Sequence, residues 1–335
     1  LTPDRTTVPL GKIGVASRLS NVVHVPNFVG GASPIQHDGL DSEFEELLVP
    51  EVELFFFLGA DRVPKLAALF EEPGPGHLRC AVDDDRRGER TSLGGSHSGG
   101  ELAIYRGWMM SSLRYGELYH ALWDRGYRLI NSVAEYHYCH ELPQWYRDFS
   151  TFTPKTMWFE GGWSETIPAK VKAQLGDGPY IVKDFVKSQK HYWKEACFIE
   201  GPSDIERITK RFIELQEPLQ GGLVFRDYVQ LERVGRHPKS GTPIMNEVRY
   251  FVTRGRPILA APYWSPEEGG QNIELPSTFD YEVLTKVKSE FFTMDIARLA
   301  DGSWIIVELG DGQVAGLPPH ADVKAFYKDL ASRFL

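Results

Sequence analysis

The chain has 335 residues, 42% of them hydrophobic and 12% aromatic, enough to bury a large core and to divide into roughly two domains. With 37 basic against 46 acidic residues, the net charge of −9 argues against a surface built for general polyanion binding, so any phosphate site has to be local. Apolar runs such as LFFFLGA at 54–60 are far below the ~20 residues that span a bilayer, and three scattered cysteines (Cys80, Cys139, Cys197) suit a reducing cytoplasm better than a disulfide framework.

No signal-peptide pattern opens the sequence, and Leu1 in place of Met suggests processing or an incomplete chain. Residues 11–70 mix short apolar runs with Gly/Pro breaks, and 71–100 is polar and Gly-rich, predicting a long surface loop. Its Gly-Gly pairs lack the Gly-Lys-Ser/Thr ending of a phosphate-binding loop. Over 111–125, Tyr115, Leu118, Tyr119, Leu122 and Trp123 follow helical spacing, with Ser111 or Ser112 to cap the start and Gly126 to end it; YRLIN then reads as a short strand. This helix-then-strand unit belongs to an α/β layer. Pro143 and Pro154 bracket a change of region, so a boundary is expected near 150, with one domain over 1–150 and a second over 151–335.

The second half is more regular. PYIVKDFV (179–186) and LVFRDYV (223–229) are strand candidates, and SDIERITKRFIEL (203–215) reads as a helix opened by a Ser203/Glu206 capping box. EVRYFVT and RPILAAP around Arg254-Gly255 predict a hairpin, and a helix around 280–290 precedes a last pair of strands. That pair, FFTMDIARLA and SWIIVEL, flanks Asp301-Gly302, the signal for a two-residue turn. With Ala300 facing Ser303, Asp295 lies opposite Glu308. Like charges at directly opposed positions are destabilising unless neutralised, which a magnesium ion would do; an arginine shared by both, or a frayed strand end, would also relieve them.

Two further groups carry charge into apolar patterns. Lys183 sits inside a strand and needs an anionic partner or an opening to solvent, and Lys187, Lys190 and Lys194 follow it as either a phosphate channel or a solvated helix face. Glu247 and Arg249 project to one side of their hairpin, as a ribose and phosphoryl contact or as a plain surface ion pair.

Taken in order, TPKT (153–156), YIVKDFVKS (180–188), RDYVQLE (226–232), EVRYFV (247–252), MDIA (294–297) and VELGDGQ (307–313) resemble the ATP-grasp superfamily, nearest its RimK-type, glutamate-ligase-like branch. The resemblance covers roughly residues 101–320. It implies an α/β (α+β) ATP-grasp fold with a preceding α/β domain, and a nucleotide held between two sheet-containing subdomains. Lys155 and Lys183 match lysines that contact ATP phosphates, with Lys187 nearby. Asp227, Tyr228 and Val229 fall in the strand that reads the adenine. Glu247 matches a ribose contact, Arg249 a contact to the transferred phosphoryl group or acyl substrate, and Asp295 and Glu308 the magnesium ligands. Where the family usually has Asn two residues after that Glu, this chain has Gly310, leaving Asp311 as a candidate third ligand; the usual glycine-rich loop after the lysine is replaced by SQKHYW.

The implied activity is an ATP- and magnesium-dependent carboxylate-amine ligase working through an acylphosphate on an amino acid, peptide or protein end. The alternatives are a nucleotide-binding regulatory protein without turnover, or a phosphotransferase. Arg106 and Arg114 flank an aromatic and methionine cluster and are candidates for meeting a substrate carboxylate, or ordinary surface pairs. His137, Cys139 and His140 in YHYCH lack a fourth ligand at metal-site spacing and are expected to be structural or to line a substrate pocket.

Overall fold

The computed structural model describes the strand segments 22–25, 53–56 and 78–81, together with residues 101–334 apart from 125, 217, 239–242, 271–272, 274, 277–281 and 319–320. The first sheet contains β1 (Val22–Val25), β2 (Glu53–Phe56), β3 (Leu78–Ala81), β4 (Glu101–Arg106) and β5 (Tyr127–Leu129), in the order β1-β3-β2-β4-β5. The expected loop over 71–100 therefore contains a strand; its other residues lie outside the described set.

Between β4 and β5 runs α1 (Ser112–Asp124), which buries Tyr115, Leu118 and Leu122 along one stripe and ends before Gly126, whose φ of 84° suits a residue without a Cβ. Two eight-residue helices follow, α2 (Val133–His140) and α3 (Leu142–Phe149). Ser132 and Glu135 form a reciprocal capping box at the start of α2, and Pro143 sits in the first turn of α3, where its missing N–H is harmless.

A four-stranded antiparallel sheet is built from β6 (Thr156–Glu160), β7 (Tyr180–Asp184), β8 (Phe198–Ile199) and β9 (Gly222–Asp227), in the order β6-β9-β7-β8. Its outer face packs Tyr180, Val182, Leu223 and Phe225 against α4 (Ile167–Leu175) and α5 (Ile205–Leu215). The capping box expected at Ser203 and Glu206 is not formed. A 3₁₀ turn over Pro202–Asp204 starts the coiling earlier, and α5 follows directly from Asp204.

After a small ribbon of β10 (Arg233–Arg236) and β11 (Pro243–Met245), the last sheet contains β12 (Glu247–Thr253), β13 (Arg256–Pro262), β14 (Phe291–Arg298) and β15 (Trp304–Asp311), in the order β13-β12-β14-β15. The β12–β13 hairpin turns through Arg254 and Gly255, both at positive φ, as its sequence predicts. The helix expected around 280–290 is a single turn, Glu282–Thr285. One face of this sheet packs Val248, Tyr250, Phe292, Met294 and Leu309 against Trp145 and Phe149 of α3, in a cluster that also takes Val224 of β9. On the other face, Phe251 and Phe291 meet Ile104 and the closing helix α6 (Val323–Ser332). Among the described residues no helix is long and apolar enough to cross a membrane.

The β14–β15 hairpin departs from the predicted two-residue turn. The Leu299 N–H donates to the Ser303 carbonyl (2.8 Å), leaving a three-residue loop with Gly302 at φ 89°. That shift alone would place Val307 opposite Asp295. A β-bulge at Val307 then adds one residue to β15, so that Ile296 pairs with Ile306 but Asp295 pairs with Glu308.

Candidate active site

The site is a row of charged side chains across the last sheet. Arg249 on β12 pairs with Asp295 on β14, and Asp295 with Glu308 on β15, so the three project from the same face. Arg249 grips Asp295 through two parallel bonds of 2.7 Å, and its guanidinium lies 4.8 Å from the ring centre of Tyr263. Glu308 takes its own cation from the neighbouring sheet, with Lys183 Nζ on β7 3.1 Å from its carboxylate. The like charges are thus relieved by two separate cations rather than by one shared arginine.

Burial alone would raise the pKa of Glu308, but Lys183, Lys190 and Arg249 outweigh it and hold the carboxyl down at about 2. Glu247, which precedes Arg249 on the same face of β12, goes the other way. Desolvation and the charges of Asp295 and Glu308 push it up, against Lys190 and a 3.3 Å bond from the Trp264 indole. Lys190 completes the group on the turn Lys190–Tyr192. Desolvation opposes its charge, yet Glu308, Glu247, Tyr263 and Asp295 together hold its pKa above the usual lysine range. The result is three carboxylates, two cations paired with them (Lys183 and Arg249), and the exposed Lys190 within their field.

The exit from β7 is held by a residue the sequence reading passed over. Asp184 is fully buried and accepts from the backbone N–H groups of Val186, Lys187 and Gln220 and from the Gln216 amide. It anchors the segment that stands in place of a glycine-rich loop. Its signal was a carboxylate inside an apolar strand, the counterpart of the signal that singled out Lys183.

Other candidates are placed elsewhere. Lys155 is exposed and gives its amine to the Gln174 carbonyl at the end of α4 (2.5 Å), on the face of the sheet away from Lys183. Lys187 is exposed just beyond β7. Asp311 is not brought to the acids: it is three residues from Glu308, so the strand's alternation turns it to the opposite face, where it is fully buried and bonded by Asn131 and Gln313. Arg106 is not open to a substrate, because its guanidinium binds Tyr327 and the carbonyls of Gly312, Gln313 and Ala315. Arg114 makes an exposed i,i+3 pair with Glu117. Within YHYCH, His137 pairs with Glu141, Cys139 joins the core, and His140 stacks on Tyr136 with ring centres 4.8 Å apart.

The backbone N–H groups of Asp227 and Tyr228 are taken by the carbonyls of Lys155 and Pro179, so a base read by this segment has to use its remaining groups. The Tyr228 ring stands edge-on to Phe198 at 5.1 Å, and Val229 follows it, half-buried.

Among the described residues no three His, Cys, Asp or Glu side chains are arranged to hold a metal unaided. Asp295 and Glu308 suit magnesium in another way: two opposed carboxylates are the usual protein share of a site whose other oxygens come from nucleotide phosphates and water.

Residues 174–330, just under half of the chain, match the model of an ATP-grasp domain family, the third family of its clade. The chain carries an ATP-grasp domain. That matched stretch holds Lys183, Lys190, Glu247, Arg249, Asp295 and Glu308. Among solved structures, the D-cycloserine synthetase DcsG is similar at 15% identity over 82% of this chain and 94% of its own, with a TM-score of 0.48. A RimK domain ATP-grasp protein from Sphaerobacter thermophilus DSM 20745 is similar at 12% identity over 65% of this chain and 75% of its own, with a TM-score of 0.45. The ATP-grasp ligase PsnB, solved with a precursor variant, Mg and ADP, has 15% identity and a TM-score of 0.41; the match covers 65% of each chain, short of two thirds of PsnB. No curated protein matches the sequence.

Proposed function

We propose that the ATP-grasp domain binds magnesium-ATP and uses it to activate a carboxylate for attack by an amine, forming an amide on an amino acid, peptide or protein end. The observation that carries this reading is the pairing of Lys183 with Glu308 and of Arg249 with Asp295 on one face, beside Glu247 and within the field of Lys190. Such a row can trade internal ion pairs for contacts to a metal-bound polyphosphate without leaving net charge buried.

In this reading Asp295 and Glu308 would hold the magnesium, which when bound would neutralise charge on the phosphate oxygens. Lys183 would turn from Glu308 toward a phosphate oxygen, and Lys190 would supply a second positive charge to the same group. Arg249 orients the group receiving the phosphoryl. A substrate carboxylate oxygen forms a bond to the γ-phosphorus as the bond to the ADP oxygen breaks, giving an acylphosphate. The amine nitrogen then bonds the carbonyl carbon, phosphate leaves, and the surplus amine proton passes to solvent. Tyr263, under the Arg249 guanidinium, would flank the acceptor. Glu247 is placed for a ribose hydroxyl. The adenine falls to the 227–229 segment.

We further propose that residues 1–150 form a preceding domain and 151–335 the ATP-grasp unit, in a cytoplasmic protein; the free, buried Cys139 and Cys197 suit a reducing compartment. Small-molecule or peptide substrates are the expected partners rather than nucleic acid.

A second reading, nucleotide binding without turnover, is favoured by one observation: Asp311 lies on the far face and Gly310 offers no side chain, leaving two carboxylates where a third ligand is usual in the resembled family. Incubation with ATP, magnesium and pooled amino acids and peptides, with hydroxylamine present to trap acylphosphates, separates the cases. Substrate-stimulated ADP and a hydroxamate support the ligase. ADP with a stable phosphorylated product points to a phosphotransferase, and tight binding with no ADP points to the second reading.

A further inference from the structure

We propose that Arg226 is a positioning residue that holds the bulge of β15 and thereby aims Glu308 across from Asp295. Arg226 lies near the end of β9, after the apolar run Leu223–Phe225, and is buried to 8% exposure. Among the described residues its guanidinium pairs with no carboxylate. One nitrogen donates to the carbonyl of Val307 at 2.7 Å; the other donates to the Thr153 hydroxyl and to the carbonyl of Ile306 at 3.2 Å. Thr153 in turn donates to the Ile306 carbonyl (2.8 Å), and the Ile306 N–H donates to the Phe152 carbonyl. Every bond that this group makes to β15 falls on the two residues at which the ladder changes register.

The register explains why this matters. Near the turn, Arg298 pairs with Trp304, Ala297 with Ile305 and Ile296 with Ile306, and continuing that pattern would place Val307 opposite Asp295 and turn Glu308 to the opposite face. The extra residue at Val307 restores Glu308 to the face of Asp295 and Arg249. Among the described residues β15 is the edge strand of its sheet, so the Ile306 and Val307 carbonyls on its free side have no strand there to bond. A buried carbonyl without a partner is costly, and a planar fork of donors from the neighbouring sheet satisfies two adjacent carbonyls at once. A lysine would offer a point charge instead. Desolvation pushes the Arg226 guanidinium down to about 10, while the field of Glu308 works the other way. Leaving a cation buried there is sensible only if its geometry is used.

The placement of Glu308 is tested apart from its importance for catalysis, which rests on the proposed function. In the full chain, Asp295→Cys with Glu308→Cys places two thiols at opposed positions. A short thiol-to-thiol crosslinker, with the bridged peptides counted by mass spectrometry, reports how often the two face each other. The yield is expected to fall at least fivefold when Arg226→Met is added. Thr153→Val, which keeps the shape and removes one donor, should give a smaller fall, and Arg226→Lys should restore part of the yield. Equal yields with and without the Arg226 and Thr153 substitutions overturn the proposal. If Arg226→Met does not fold, the Arg226→Lys and Thr153→Val pair decides by the same measure.

A second measurement, binding of magnesium-ADP to the chain with native Asp295 and Glu308, uses a double-mutant cycle. Arg226→Lys should weaken binding several-fold when Glu308 is present and have no further effect in Glu308→Gln, because it acts through that carboxylate. A full additional loss in the Glu308→Gln background would show Arg226 acting by another route and overturn the inference. Should Glu308→Gln itself leave magnesium-ADP binding unchanged while the crosslink still depends on Arg226, the functional reading fails and the positioning role stands.

Discussion

Lys183 and Glu308 stand 125 positions apart in the chain and 3.1 Å apart in space, one on β7 and the other on β15. This pair ties the two four-stranded sheets together at the charged row, and it determines how the acids of the site behave before any ligand arrives. Because Lys183 is buried to 9% exposure, its ammonium depends on this partner.

The first prediction separates the two carboxylates. Asp295 holds a largely buried Arg249 by two bonds, so Asp295→Asn should cost about 3 kcal/mol of stability by stranding that guanidinium, besides abolishing magnesium-dependent turnover. The Glu308 side chain is only partly buried, at 38% exposure, so Glu308→Gln should lose turnover by at least 100-fold with a smaller loss of stability. Urea unfolding and ADP release on the same preparations check both.

Asp311 provides a contrast. Asp311→Asn should leave the magnesium dependence of nucleotide binding within about twofold of the parent, since Asp311 faces away from the row. A large rise in the magnesium concentration needed would return Asp311 to the ligand set. Its stability should change, because Asn131 and Gln313 are arranged around a carboxylate.

Two lysines that look alike in the sequence should behave differently. Lys183→Met is expected to weaken ATP binding at least tenfold, and Lys155→Met by no more than about twofold, given that the Lys155 amine rests on Gln174 at the surface. Arg114→Ala should change neither stability nor binding by more than about 0.5 kcal/mol, as an exposed pair. Calorimetric titration with a non-hydrolysable ATP analogue measures binding for all three, and urea unfolding the stability of the last.

Acid stability carries two opposing slopes. Burial, aided by Lys187 and Lys183, lowers His140 from 6.5 to about 4, so the unfolded chain binds its proton first and stability is lost as pH falls through that window, by up to about 3 kcal/mol. Burial raises Asp311 from 3.8 to about 6, so the folded chain binds that proton first; its contribution is fullest below 3.8 and is lost as pH rises through 6, again by up to about 3 kcal/mol. The two nearly cancel between pH 4 and 6. His140→Gln should therefore make the protein gain stability on going from pH 6 to pH 4, and Asp311→Asn should make it lose stability over the same range. Urea midpoints across that range test the pair, and parallel curves for parent and both variants would contradict the assignment.

Much of this architecture is readable from neighbouring residues. Alternation in EVRYFVT and helical spacing in the segment around Tyr115 and Leu118 depend on the two- and 3.6-residue periods, which are local properties of the chain. The opposition of Asp295 and Glu308 was also legible, though by two departures that offset each other: the turn is one residue longer than Asp-Gly implies, and Val307 bulges. Local pattern places a charge on a strand face; it carries no information about which distant group meets it. That Lys183 goes to Glu308, Arg249 to Asp295, Lys155 to a helix end and Arg106 to the carbonyls after β15 was decided by the packing of elements far apart in sequence. The buried Arg226 shows the reason most plainly, since the carbonyls it satisfies exist as unmet acceptors only once β15 has become an edge and the neighbouring sheet has come alongside it.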